Sequence, residues 1–174
     1  MSDLVFQKMH YSSLPFKHNV DLHISYSHRL YSDMFTMMSK LKDDSINIIL
    51  NRSHLGESVY SPIFRNYSGD FVFDIEKKFT QELRENLYLI TLVNDPHILW
   101  SRDDGKSLHK SEEEIAAQVD GFKRAHRLSK IKNKLLINVG SMTAEDLNKI
   151  ILEFIVEVNE ISGDAKQLKV FNND

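Results

Sequence analysis

The chain contains no cysteine, which excludes a disulfide framework, thiolate metal sites and a cysteine nucleophile. It also lacks any apolar run approaching the roughly 20 residues that span a bilayer, and its opening residues, Met1 to Gln7, show no charged-then-apolar signal pattern. These absences predict a cytoplasmic protein with no membrane contact. Positive charge is not in excess: a formal net charge of −3 argues against a generic nucleic-acid surface and leaves room for a local basic pocket only. A further absence concerns phosphate. No G-x-x-x-x-G-K-[ST] stretch occurs, so the usual backbone cradle for ATP phosphates is missing, and Gly105-Lys106-Ser107 lacks the upstream glycine and follows no strand directly. Nor is a metal site expected. The eight histidines show no spacing that suits zinc, and Asp103 and Asp104, neighbours on a polar loop, have no fixed convergence.

What is present is an ordinary globular composition. With 174 residues, 41% apolar and 27% charged, the chain reads as one domain over residues 1–174. Leu4 to Tyr11 suits a first strand ending in a serine- and proline-containing loop. From Val20 to Leu41 the apolar positions Leu22, Tyr26, Leu30, Met34, Met37, Met38 and Leu41 recur at threes and fours, which predicts a helix closed by Asp43-Asp44-Ser45. Ile46 to Leu50 reads as a buried strand that stops on Asn51-Arg52. A loop follows, then a helix between Val72 and Asn86, a strand over Leu87 to Val93 and a stop at Asn94-Asp95-Pro96.

Residues 97–110 are polar and predict a mobile, lid-like loop. Ser111 and Glu114 form a capping box for a helix to about Leu128. Leu135 to Val139 is a fourth strand. Thr143 caps the last helix, whose stripe of Leu147, Ile150, Ile151, Phe154, Ile155, Val158 and Ile161 is to be buried. Residues 164–174 form a polar tail. Strand and helix alternating in this way predict an α/β fold, a parallel sheet flanked by helices with right-handed crossovers. In such sheets ligands bind outside the carboxyl ends of the strands, which here bring Tyr11-Ser12, Asn51-Arg52, Asn94-Asp95 and Gly140-Ser141 to one edge.

The segment from Asn51, NRSHLGESVYSPIFRNYSG, resembles the DR-x-H-x-G-E-x-V-Y segment of phage and bacterial thymidylate-kinase-like proteins. WSRDDGKS with the glutamate-rich helix after it resembles their lid, so the resemblance runs from about Phe6 onward. It implies that Arg52 contacts the phosphate of a deoxynucleoside monophosphate, that Asn51, Glu57 and Tyr60 lie in the same pocket, and that Arg65 reaches it. Pro15 and Lys17 resemble the family's F-P-x-R segment, a second phosphate contact. Tyr26 and Arg29 take the places of an aromatic that stacks on the base and an arginine that recognises it. Arg102 would approach the transferred phosphates when the lid closes.

Two departures from the pattern matter. The family's first strand, Walker A loop and following helix precede everything matched here, and its DR aspartate is Asn51. The expected fold is therefore P-loop-kinase-like but missing the first strand and P-loop, with a gap in mid-sheet to be closed by homo-oligomerisation or by a partner chain. Both departures weaken phosphoryl transfer, since they remove phosphate donors and a negative charge useful for magnesium. The expected function is binding of a dTMP-like monophosphate, with Arg52 and Arg102 as the catalytic candidates if transfer survives. The alternatives are an active kinase whose P-loop is supplied elsewhere, using ATP and magnesium, and a non-catalytic interaction protein, such as a phage factor in the host cytoplasm.

Each residue also has a plainer reading. Arg52 suits an ion pair with Glu57 as well as a phosphate. Tyr26 suits core packing, Arg65 solvent, and the methionine cluster the core. His54 is a general-base candidate without an evident nucleophile.

Overall fold

The helical periodicity from Val20 to Leu41 produces α1 at Val20–Asp43, the longest helix among the described residues. The computed structural model describes residues 20–43, 46, 48–79, 83, 86–105, 107 and 109–161. After α1 come α2 (Leu55–Phe64), α3 (Phe71–Lys78), β1 (Tyr88–Val93), α4 (Pro96–Ser101), α5 (Glu112–Leu128), β2 (Asn133–Asn138) and α6 (Ala144–Ile161). Leu4 to Tyr11, Pro15, Lys17 and the 164–174 tail lie outside the described residues.

β1 and β2 pair in parallel, from Tyr88 opposite Asn133 to Val93 opposite Asn138. Alternation along β1 sends its side chains to two layers. Val93 packs with Ile115 and Val119 of α5, and the Thr91 hydroxyl meets His126 Nδ1 of the same helix at 2.9 Å. On the opposite face the Tyr88 hydroxyl donates to Asn159 Oδ1 of α6 at 2.5 Å, and its ring stands edge-on to Phe154. The fold is α/β, with a small parallel sheet between helices. The main core lies where α2, α3, α5 and β1 meet, around Val59, Val72, Phe73, Leu89 and Ala125.

Four parallel strands were expected, and among the described residues two form. Ile46, Ile48, Ile49 and Leu50 belong to no strand and are exposed, Ile49 by 97%. The sequence pattern reports which side chains are fit for burial. Whether a neighbouring strand offers its backbone is a property of the assembly, which a local pattern does not contain.

Two helices appear where loops were expected. α2 occupies residues read as connecting loop, because Gly56 and Pro62 read as breakers; Pro62 nonetheless stands inside the helix. The Asn94-Asp95-Pro96 stop is also a start: Asp95 Oδ1 accepts from the His97 amide at 2.9 Å and Pro96 takes the first turn of α4. The expected helix between Val72 and Asn86 is shorter, α3 ending before Phe79 turns extended. Met34 and Met38 pack around Phe35 as expected, while Met37 is exposed.

The expected Ser111 capping box and Thr143 cap both form. Ser111 Oγ accepts from the Glu114 amide at 3.3 Å, and Glu114 reaches back to the Lys110 amide at 2.7 Å. Thr143 Oγ1 accepts from the Asp146 amide at 3.1 Å, and Asp146 from the Thr143 amide at 3.2 Å. Ser111→Ala is expected to cost about 1 kcal/mol, read as a lower urea midpoint at unchanged slope.

Candidate functional site

The carboxyl ends of β1 and β2 are tied together as the parallel arrangement requires. Val139 donates its amide to the Val93 carbonyl at 2.8 Å, extending the ladder by one bond. Asn94, buried, donates Nδ2 to the Gly140 carbonyl at 3.5 Å and accepts from the Asp95 amide at 2.8 Å. Gly140 turns with φ of 50°, which suits a residue without Cβ. Asn94-Asp95 and Gly140-Ser141 therefore do share one edge of the sheet.

The arginines divide into two groups. Arg29 pairs with Asp33 at 3.7 Å along α1, both side chains being well exposed. Arg65 pairs with Glu57 at 2.9 Å, and Arg124 with Asp70 through two bonds, one of 3.0 Å. Arg52, Arg102 and Arg127, by contrast, are exposed and have no acidic partner among the described residues. Arg52 carries a further mark. Its φ of 70° lies in the left-handed region, which costs a residue with Cβ about 1–2 kcal/mol. Such strain concentrates at functional sites. Arg52 stands two residues before His54, the cap position of α2, where no side chain caps the helix.

Glu57 and Arg65, expected to contact a ligand, are brought together and engage each other. Glu57 is buried and also accepts a short hydrogen bond from the Tyr67 hydroxyl. Burial works against the Arg65 charge, and the Glu57 carboxylate more than offsets it, so its pKa rises. The plain pairing of Arg52 with Glu57 is thereby excluded in this conformation. Burial, then the Glu57 charge, pushes the Tyr31 hydroxyl well above the ordinary phenol range. Burial and the bond to Glu57 push Tyr67 the same way. Neither tyrosine was singled out from sequence. Tyr31 lies at helical spacing from Met34, Phe35 and Met38, and Tyr67 lies in the FRNYSG segment near Arg65; those were the available signals.

Tyr60 is half-buried, its ring edge-on to Phe122 and stacked on Phe64. Tyr26 is half-buried on α1, and burial raises its pKa. Asn51 is exposed beside Arg52. Lys17 lies outside the described residues.

His54 is no general base. It is 3% exposed, lies edge-on beneath the Phe35 ring, and sets Nε2 3.8 Å from Glu76 Oε2. Glu76, fully buried, holds the loop between α5 and β2: its Oε1 accepts from Ser129 Oγ at 2.7 Å, the Lys130 amide at 3.0 Å and the Ile131 amide at 2.9 Å. Burial opposes ionisation of this carboxyl, and His54 with the Ser129 hydroxyl outweighs burial and holds its pKa below the ordinary value. Sequence gave no hint of Glu76, which sits in an unremarkable amphipathic stretch.

A groove of about 300 Å³ between α2 and α5 is rimmed by Ser58, Asp70 and Arg124, with Gly121 lining it. None of the residues expected in the site lines it. Asp103 pairs with His109 at 3.3 Å rather than acting with Asp104. No cluster of metal-ligating side chains occurs among the described residues, and no helix there is long and apolar enough to cross a membrane. Comparison with protein-family models, with curated proteins and with solved structures finds no match to this chain.

Proposed function

We infer that this chain is a thymidylate-kinase-like nucleotide-binding protein that takes a deoxynucleoside monophosphate at the carboxyl edge of its parallel sheet. Phosphoryl transfer by the chain alone is impaired or absent. One observation carries the reading: Arg52 is exposed, without an acidic partner among the described residues, and held at a φ of 70°. A planar guanidinium with free donors matches a phosphate bidentately. The left-handed φ of Arg52 is a cost that a bound anion would help offset. Arg102, also unpartnered, stands at the end of α4 where an approach to the same phosphates is the role expected of it. Impaired transfer follows from Asn51, which replaces a carboxylate with a neutral amide.

Titration calorimetry with dTMP tests this. Arg52→Ala is expected to weaken binding at least tenfold, about 1.4 kcal/mol. Arg52→Gly is expected to melt no lower than the parent, because glycine relieves the left-handed φ, yet to lose the same affinity. Unchanged affinity in both variants refutes the reading.

A further inference from the structure

β1 has the composition of an interior strand and, among the described residues, the position of an edge strand. Tyr88, Leu89, Ile90, Thr91, Leu92 and Val93 include no charge and no proline, whereas exposed edges are ordinarily defended by lysine, proline or a bulge. β2, the opposite edge, does carry a charge, Lys134. The Val93 carbonyl faces β2, where it accepts from Val139. Alternation therefore turns the backbone groups of Ile90 and Leu92 the other way, and no strand among the described residues pairs with them there. Leu92 is 47% exposed.

The same chain holds the complement to that edge. Ile46, Ile48, Ile49 and Leu50 are uncharged, mostly β-branched and exposed. Their run is anchored at its start by the Ile46 amide, which donates to the Leu41 carbonyl at 2.9 Å, and Ile48 to Leu50 have no backbone hydrogen bond among the described residues. A strand-forming run and an unpaired uncharged edge are the two halves of a strand pair.

We propose that two copies of this chain exchange these halves. Ile46 and Ile48 to Leu50 of each copy lie parallel to the free edge of β1 in the other, in the register that sets Leu50 beside Leu92. Charge selects the direction. Asp43 precedes the run and Arg52 follows it, while Asp95 follows β1. A parallel pair brings Arg52 to the Asp95 end, and an antiparallel pair would bring Asp43 there. Reciprocal exchange is two-fold and closed. Each sheet grows by one strand, and the partner's Arg52 arrives at the Asp95 end of β1. The strand exchange does not rest on the monophosphate reading.

The absence of native cysteine makes the test clean. Leu50→Cys and Leu92→Cys variants are prepared separately, mixed, and oxidised with copper phenanthroline. A covalent dimer is expected from the mixture and from neither variant alone. Sedimentation velocity of the unmodified full chain is expected to show a dimer, and Ile49→Lys, which alters a fully solvated side chain, a folded monomer by circular dichroism and sedimentation. A monomeric parent chain overturns the exchange. So does cross-linking of Leu92→Cys with itself, which would mean edge-to-edge pairing of β1.

Discussion

Replacing Gly69 by alanine is expected to lower the melting temperature by about 10 °C, read by calorimetry or circular dichroism. A Cβ at this position would lie 2.1 Å from the Glu57 carbonyl oxygen, 2.4 Å from its carbon and 2.8 Å from the Ser58 amide. These are backbone atoms of α2, so no side chain can rotate away and the segment carrying Tyr67 must shift from the helix. Overpacking of this kind costs about 3 kcal/mol, at roughly 2–4 °C per kcal/mol for a domain of this size. Gly56 supplies the contrast. An added Cβ there meets only Tyr60 ring atoms at 3.5 Å, and Gly56→Ala is expected to stabilise α2 by about 0.5–1 kcal/mol. A Gly69→Ala protein melting with the parent would mean that α2 and the 65–70 segment are not packed as described.

Glu76→Ala is expected to cost more, about 3–5 kcal/mol. It strands the Lys130 and Ile131 amides and the Ser129 hydroxyl at once, and leaves His54 beside a cavity. Each buried donor without a partner costs about 1–3 kcal/mol. Glu76→Gln keeps one acceptor oxygen and is expected to lose less than half as much. The pH dependence has a definite sign. A carboxyl whose folded pKa is depressed contributes stability that is fully present above its unfolded pKa, 4.5, and lost as pH falls through the folded value. Asp70, held low by the Arg124 hydrogen bonds, acts in the same direction from a more exposed position. Urea midpoints measured from pH 6 down to pH 3 should therefore fall, and the fall should be shallower in Glu76→Gln. An acid limb identical in parent and variant would contradict the assigned role.

How far the sequence was legible depends on whether the relevant interaction is local. The helix at Val20–Asp43, the Ser111 capping box, the Thr143 cap and the strands at β1 and β2 were readable, because periodicity, caps and turn residues act within a few positions. Ile46 to Leu50 misled for the opposite reason: its residues are strand formers, but a strand also requires a partner backbone, which lies elsewhere in space. α2 was hidden by Gly56 and Pro62, whose breaker tendency is overridden by burial of Leu55 and Val59 in the core. At the candidate site, Arg52 was legible as a polar residue ending an apolar run. Its left-handed φ was not, nor was the capture of Arg65 by Glu57, since ion pairing between side chains of neighbouring turns depends on which one the core buries. Glu76 and His54 were the least legible. A buried carboxylate and an exposed one look alike on a helix until tertiary packing is known.

The central claim is that the chain retains a monophosphate site without an ATP cradle of its own, and a thermal-shift series tests it most directly. The chain is melted alone, with dTMP, with each other deoxynucleoside monophosphate, and with ATP and magnesium, each at high concentration. A ligand at about 100 times its dissociation constant adds roughly 2.7 kcal/mol, which corresponds to about 5 to 10 °C here. A rise with dTMP, lost in Arg52→Ala and absent with ATP and magnesium, is the predicted result. No shift with any monophosphate would contradict the account.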